Sequence, residues 1–128
     1  MTSGTPIVFV VDDDASVLRG LQRLLRSAGF TAATFASAPE FLERYDRNAA
    51  GCVILDLAMP GFNGLQMQKG LTDLGSVLPI IFLTGHGDIP TSVQAMKGGA
   101  VDFLTKPATD DELLVAVRKA IERCEVLY

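Results

Sequence analysis

The sequence predicts a doubly wound α/β fold, a five-stranded parallel sheet with helices on both faces. Two observations predict it. Short β-branched runs alternate strictly with amphipathic stretches, five of each. The strand runs are also apolar throughout rather than alternating, which suits strands covered on both sides. Right-handed crossovers between such elements then force the strands parallel and place helices on each face.

The first strand is Ile7–Val11, the unbroken run IVFVV. Val17, Leu18, Leu21, Leu24, Leu25 and Ala28 follow at helical spacing, with Asp14 as N-cap and Gly29 as the C′ stop. Thr31–Phe35 is a second, weaker strand. Ser37 with Glu40 three residues on is a capping box that opens a short helix through about Tyr45. Cys52–Leu55 is the third strand, followed by a Pro60-Gly61 turn and a helix from about Leu65 to Leu74. Ile80–Leu83 is the fourth strand. The turn Gly85-His86-Gly87 leads into a helix from about Pro90 to Lys97, where proline suits the first turn, and Gly98-Gly99 ends it. Val101–Leu104 is the fifth strand. Thr109 and Glu112 form another capping box, and Leu113, Ala116, Val117, Ala120 and Ile121 line one face of the last helix. Met1–Thr5 reads as a loose tail.

Length and composition bound the function. The 128 residues suit a single domain over 1–128. Fifteen acidic residues against 11 basic leave a net charge of −4, which disfavours a nucleic-acid surface. At 48% hydrophobic residues the chain is too apolar for disorder. Its apolar runs are strand length, far below the roughly 20 residues of a membrane span. The first basic residue is Arg19, so no secretory signal is expected and the chain reads as cytoplasmic. Cys52 and Cys124 then read as reduced thiols. With one histidine and no CxxC spacing, a zinc site is not expected.

Ligands of doubly wound sheets bind beyond the carboxyl ends of the strands. Asp12, Asp13 and Asp14 follow the first strand, Asp56 the third, Thr84 the fourth, and Thr105, Lys106 and Pro107 the fifth. Each alone has an ordinary explanation: Asp14 as a helix cap, Thr84 as a turn residue, Lys106 as a solvated charge. Together they do not. Converging carboxylates repel one another, and such a cluster is tolerable where a hard cation binds it. Magnesium suits carboxylate and carbonyl oxygens, and one lysine plus one hydroxyl beside it can hold a phosphoryl group. An aspartate nucleophile for phosphoryl transfer follows. There is no P-loop and no Ser/His/Asp triad.

The motifs FVVDDD at 9–14, VILDLAMPGFNG at 53–64, FLTGHGDIP at 82–90 and GAVDFLTKP at 99–107 closely resemble the receiver domain of two-component response regulators, the CheY-like fold. The resemblance covers Pro6 to Arg123 and implies the strand order 2-1-3-4-5. GHGDIP followed by AMKGGAVDFLTKP is similar to regulators of the FixJ type, which couple a receiver to a LuxR-type helix-turn-helix.

Position by position, the resemblance implies Asp56 as phospho-acceptor. Asp13 would be the direct magnesium ligand and Asp12 a ligand through water, with Asp56 itself and the carbonyl of Ala58 completing the metal shell; manganese would substitute. Lys106 would pair with the phosphoryl group or, before it arrives, with Asp56. Thr84 would donate its hydroxyl, Phe103 takes the switch-aromatic position, and Lys106–Pro107 is expected cis. Asp13 with Asp14 stays open as an alternative acidic pair. His86 is a candidate modulator of phospho-aspartate lifetime, beside its plain reading as a solvent-facing turn residue.

A signalling switch is therefore expected, phosphorylated by a sensor histidine kinase and slowly self-dephosphorylating. Its output would be transcription, through a DNA-binding domain absent from this chain or through a protein partner. Dimerisation on phosphorylation would use the face of the fourth helix, fifth strand and fifth helix, with Val93, Met96, Leu114 and Val115. Two readings compete. A flavodoxin-like cofactor binder would place three aspartates against the FMN phosphate. An aspartate phosphohydrolase would need an acid two residues after Asp56, where Ala58 stands.

Overall fold

The computed structural model describes residues 6–45, 49–57, 64–74, 78–85 and 89–126, without the side chains of 89 and 124–126. Met1–Thr5, the carbonyl of Ala58, the Pro60-Gly61 turn, His86 and the Cys124 side chain lie outside the described residues. Five strands and five helices alternate: β1 (Ile7–Val11), α1 (Ala15–Ser27), β2 (Thr31–Phe35), α2 (Ala38–Arg44), β3 (Gly51–Leu55), α3 (Gly64–Asp73), β4 (Ile80–Thr84), α4 (Ile89–Lys97), β5 (Asp102–Thr105) and α5 (Asp110–Val126). All pairings are parallel, in the order β2-β1-β3-β4-β5.

The pleat sorts the strand side chains into two cores. Phe9, Val11, Val53, Leu55, Ile80 and Phe82 face one way and meet Phe41 of α2, Met67 and Leu71 of α3 and Ala95 of α4. Val8, Val10, Cys52, Ile54, Ile81 and Leu83 face the other, against Leu25 of α1 and Leu113, Ala116, Val117 and Ala120 of α5. Both faces being buried is why the strand sequences are uninterrupted apolar runs. Phe9, Phe41 and Tyr45 tie α2 to the sheet, with Phe41 stacked on Tyr45 at 4.5 Å and edge-on to Phe9 at 5.5 Å. Cys52 is a buried free thiol.

The sequence-level caps are present. Asp14 accepts from the backbone N–H groups of Ser16 and Val17, and Gly29 adopts φ +90° after α1. Thr109 and Glu112 exchange two hydrogen bonds of 3.1 Å. The Ser37 box is looser: Ser37 accepts from the Glu40 N–H, but Glu40 reaches back to the N–H of Ala36 instead of Ser37. Element ends shift by one residue in α2, β3, β4, β5, α3 and α4. Val101, expected in β5, precedes the ladder: its N–H donates to Ile80, and β5 pairing begins with Asp102 opposite Ile81.

Gly51 opens β3 directly beside Ile7 of β1, at φ +143°. A Cβ there would lie 1.8 Å from the Ile7 carbonyl oxygen. Gly51→Ala is therefore expected to cost about 3 kcal/mol of stability through strain and backbone clash together, read as a lowered urea midpoint.

Candidate functional site

The strand ladder itself gathers the polar groups. Val11 and Leu55 are paired neighbours, so Asp12 and Asp56 leave adjacent strands side by side at one rim. Backbone bonds hold both: the Asp12 N–H donates to Phe35 O and the Asp56 N–H to Val11 O, each at 3.1 Å. On the far side of β4, Thr84 pairs with Thr105, and the Lys106 N–H donates to Thr84 O at 2.9 Å. The Lys106–Pro107 peptide is cis.

Carboxylate oxygens of Asp12, Asp13 and Asp56 lie within 4.8 Å of one another. Asp12 and Asp56 are 3% and 7% exposed and Thr84 is fully buried, whereas Asp13 is exposed. Lys106 bridges the buried pair. Its Nζ lies 2.8 Å from Asp12 Oδ2 and 3.5 Å from Asp56 Oδ2. The lysine expected to pair with Asp56 is thus shared, and sits closer to Asp12. The second oxygen of Asp12 accepts from the Asp14 N–H at 2.9 Å.

Burial pushes the Asp12 carboxyl above its ordinary range; the hydrogen bonds from Lys106 and the Asp14 N–H oppose this only in part. Partial burial pulls Lys106 down, but its bond to Asp12 and the charges of Asp12 and Asp56 outweigh that and leave it raised. Asp14 takes no part in the carboxylate cluster. Its side chain accepts from the Ser16 hydroxyl and from the Ser16 and Val17 N–H groups at the start of α1, which holds its carboxyl below the usual value. The geometry therefore favours the Asp12–Asp13 pair over Asp13–Asp14.

Among the described residues, three carboxylates against one ammonium leave the rim short of two positive charges. An all-oxygen donor set of this kind fits magnesium, a hard divalent cation that takes a few carboxylates and keeps waters. A Cβ at Gly85 would meet nothing within 4 Å among the described residues. Phe103 is half-buried, its ring 5.9 Å from that of Phe82.

Residues 8–118 match the family model of the response regulator receiver domain. The chain belongs to the response regulator receiver family. Receivers are the switch modules of two-component response regulators. The chain is 48% identical over 122 residues to the response regulator protein TodT of Pseudomonas putida, covering 95% of this chain and 54% of TodT. It is 44% identical over 118 residues to the transcriptional regulatory protein FixJ of Bradyrhizobium diazoefficiens, covering 92% of this chain and 58% of FixJ. The structure of the response regulator StyR superposes with a TM-score of 0.90 at 47% identity, covering 96% of this chain and 62% of StyR. The receiver thus spans little more than half the length of the curated relatives it matches.

One buried polar residue carried no signal in the motif reading: Gln68, 7% exposed on α3. Its trace was a glutamine at core spacing, sharing the buried face of α3 with Gly64, Met67 and Leu71.

Two outcomes test the site. Magnesium at ten times its dissociation constant should stabilise the receiver by about 1.4 kcal/mol, raising its melting temperature by about 5 °C. Asp12→Asn and Asp13→Asn should each lose most of that shift. Without the ion, Asp12→Asn should melt no lower than the parent. A raised folded pKa means that ionised Asp12 costs folding energy once the pH passes it, and a neutral isostere removes that cost.

Proposed function

We propose that residues 1–128 form one receiver domain whose Asp56 accepts a phosphoryl group from a sensor histidine kinase in the cytoplasm. The single observation behind this reading is the position of Asp56: beside Asp12 and Asp13, within 3.5 Å of the Lys106 ammonium, at the carboxyl rim of a parallel sheet. An Asp56 oxygen forms the new bond to phosphorus as the phosphorus–nitrogen bond of phosphohistidine breaks, its electron pair staying on the imidazole. Asp12, Asp13, Asp56 and the carbonyl of Ala58 would hold magnesium, which supplies charge neutralisation at the transferred oxygens. Lys106 moves its bond from the carboxylates to a phosphoryl oxygen, and the Thr84 hydroxyl donates to another. Water later attacks the phosphorus slowly, releasing phosphate and restoring Asp56.

The switch follows from the same contacts. Thr84 is drawn toward the new charge, and Phe103 turns inward into the space released. The face of α4, β5 and α5 changes, and two receivers pair across it. Its exposed apolar side chains support this: Val93 at 46%, Met96 at 44% and Val115 at 61% exposure. The output is transcription through a DNA-binding domain absent from this chain. The receiver itself, at net charge −4, does not contact DNA.

Labelling by acetyl phosphate is expected with magnesium and absent without it. Asp56→Asn should abolish the label, and Lys106→Met should slow it about a hundredfold, the scale for removing one donor from a charge-stabilising site. Retained label on Asp56→Asn would overturn the assignment. Beryllofluoride-treated receiver should sediment as a dimer, and a persistent monomer would rule out the pairing face.

A further inference from the structure

α4 is thinly attached by apolar contact. Among its described side chains only Ala95 is fully buried, and that contributes a single methyl group. A polar contact reinforces it. Gln68 of α3 donates its side-chain amide to the Ala95 carbonyl at 2.9 Å, in a buried position. That carbonyl is not in need of a partner. α4 ends in a Schellman turn, with Gly99 at φ +103°, the Gly99 N–H on Met96 O and the Ala100 N–H on Ala95 O. The bond from Gln68 is a second one to the same oxygen. Gly98 makes room for it: a Cβ there would lie 2.7 Å from Gln68 Oε1 and 2.9 Å from Nε2.

We infer that Gln68 is the positioning residue of α4, a clasp that holds the helix by its C-terminal turn in the unphosphorylated receiver and keeps the resting state favoured. The inference rests on Asp56 being the acceptor. β4 ends at Thr84 and α4 begins at Ile89, so a pull on Thr84 reaches α4 at its N-terminal end. The clasp holds the opposite end. A neutral hydrogen bond of this kind biases an equilibrium about fivefold. That is enough to favour one position of a weakly packed helix, and little enough for charge-assisted phosphoryl contacts to override.

Gln68→Leu keeps the side-chain bulk and removes the bond. Gly98→Ala leaves Gln68 in place and pushes its amide aside. Both variants should bind beryllofluoride with magnesium about fivefold more tightly than the parent, because binding and resting-state bias are reciprocally linked. Both should also speed amide exchange at 98–100 about fivefold. Alanine raises helix propensity over glycine, so a purely local effect of Gly98→Ala would slow exchange instead. In a Gln68→Ala background, Gly98→Ala should tighten beryllofluoride binding no further. Parent-like beryllofluoride affinity in both single variants overturns the clasp, whether or not exchange changes. Failure of the parent itself to bind beryllofluoride would instead overturn the acceptor reading, and shows before any variant is compared.

Discussion

The structure depends on a repulsion that the fold does not let relax. Asp12 and Asp56 leave neighbouring strands whose last residues, Val11 and Leu55, are locked in register, and each aspartate's own N–H is bonded into the sheet. Neither can swing its backbone away. One ammonium, from Lys106, lies between the two buried carboxylates, and Asp13 adds a third negative group from the exposed side. Such an arrangement is poor for stability and good for capture. Whatever brings positive charge or donors to the rim relieves a cost already present in the folded chain.

The two faces of the sheet prepare different parts for that event. α1 and α5 cover their face with Leu25, Leu113, Ala116, Val117 and Ala120, each nearly or fully buried. On the other face α2 and α3 bring Phe41, Met67 and Leu71, while α4 brings Ala95. Close-packed interiors resist small displacements, so a local pull is felt where the packing is thinnest. Thr84 stands at the end of β4, and α4 is the next element in the chain. Topology thus places directly after Thr84 a helix that buries only Ala95 among its described side chains.

The layers and the rim were legible in the sequence because both follow from the backbone. IVFVV and CVIL are apolar at every position, which only a two-sided burial explains, and parallel strands must end at a common edge. Asp12, Asp56, Thr84 and Lys106 could therefore be grouped before any coordinates. Side-chain choices at that edge were not legible. Nothing in the string DDD separates the residue that caps α1 from those that face Asp56, except its distance from the apolar run. Nor does a motif say that Lys106 comes nearer to Asp12 than to Asp56, since both carboxylates are within reach of a long flexible stem.

Gln68 marks the limit of pattern reading more sharply. By periodicity it belongs to the core face of α3, where a polar residue looks like a defect. The partner that satisfies it is a backbone carbonyl 27 positions away, and a glycine supplies the space. Three helix-capping residues show the contrast: Asp14, Ser37 and Thr109 act on N–H groups two or three positions ahead, so their roles are written locally. A buried amide on a distant carbonyl is not. A buried polar group must be satisfied somewhere, so an apparent misfit in an otherwise apolar stripe points to a long-range contact before its partner is known. In this receiver that contact joins the core helix α3 to the helix whose outward face carries Val93 and Met96.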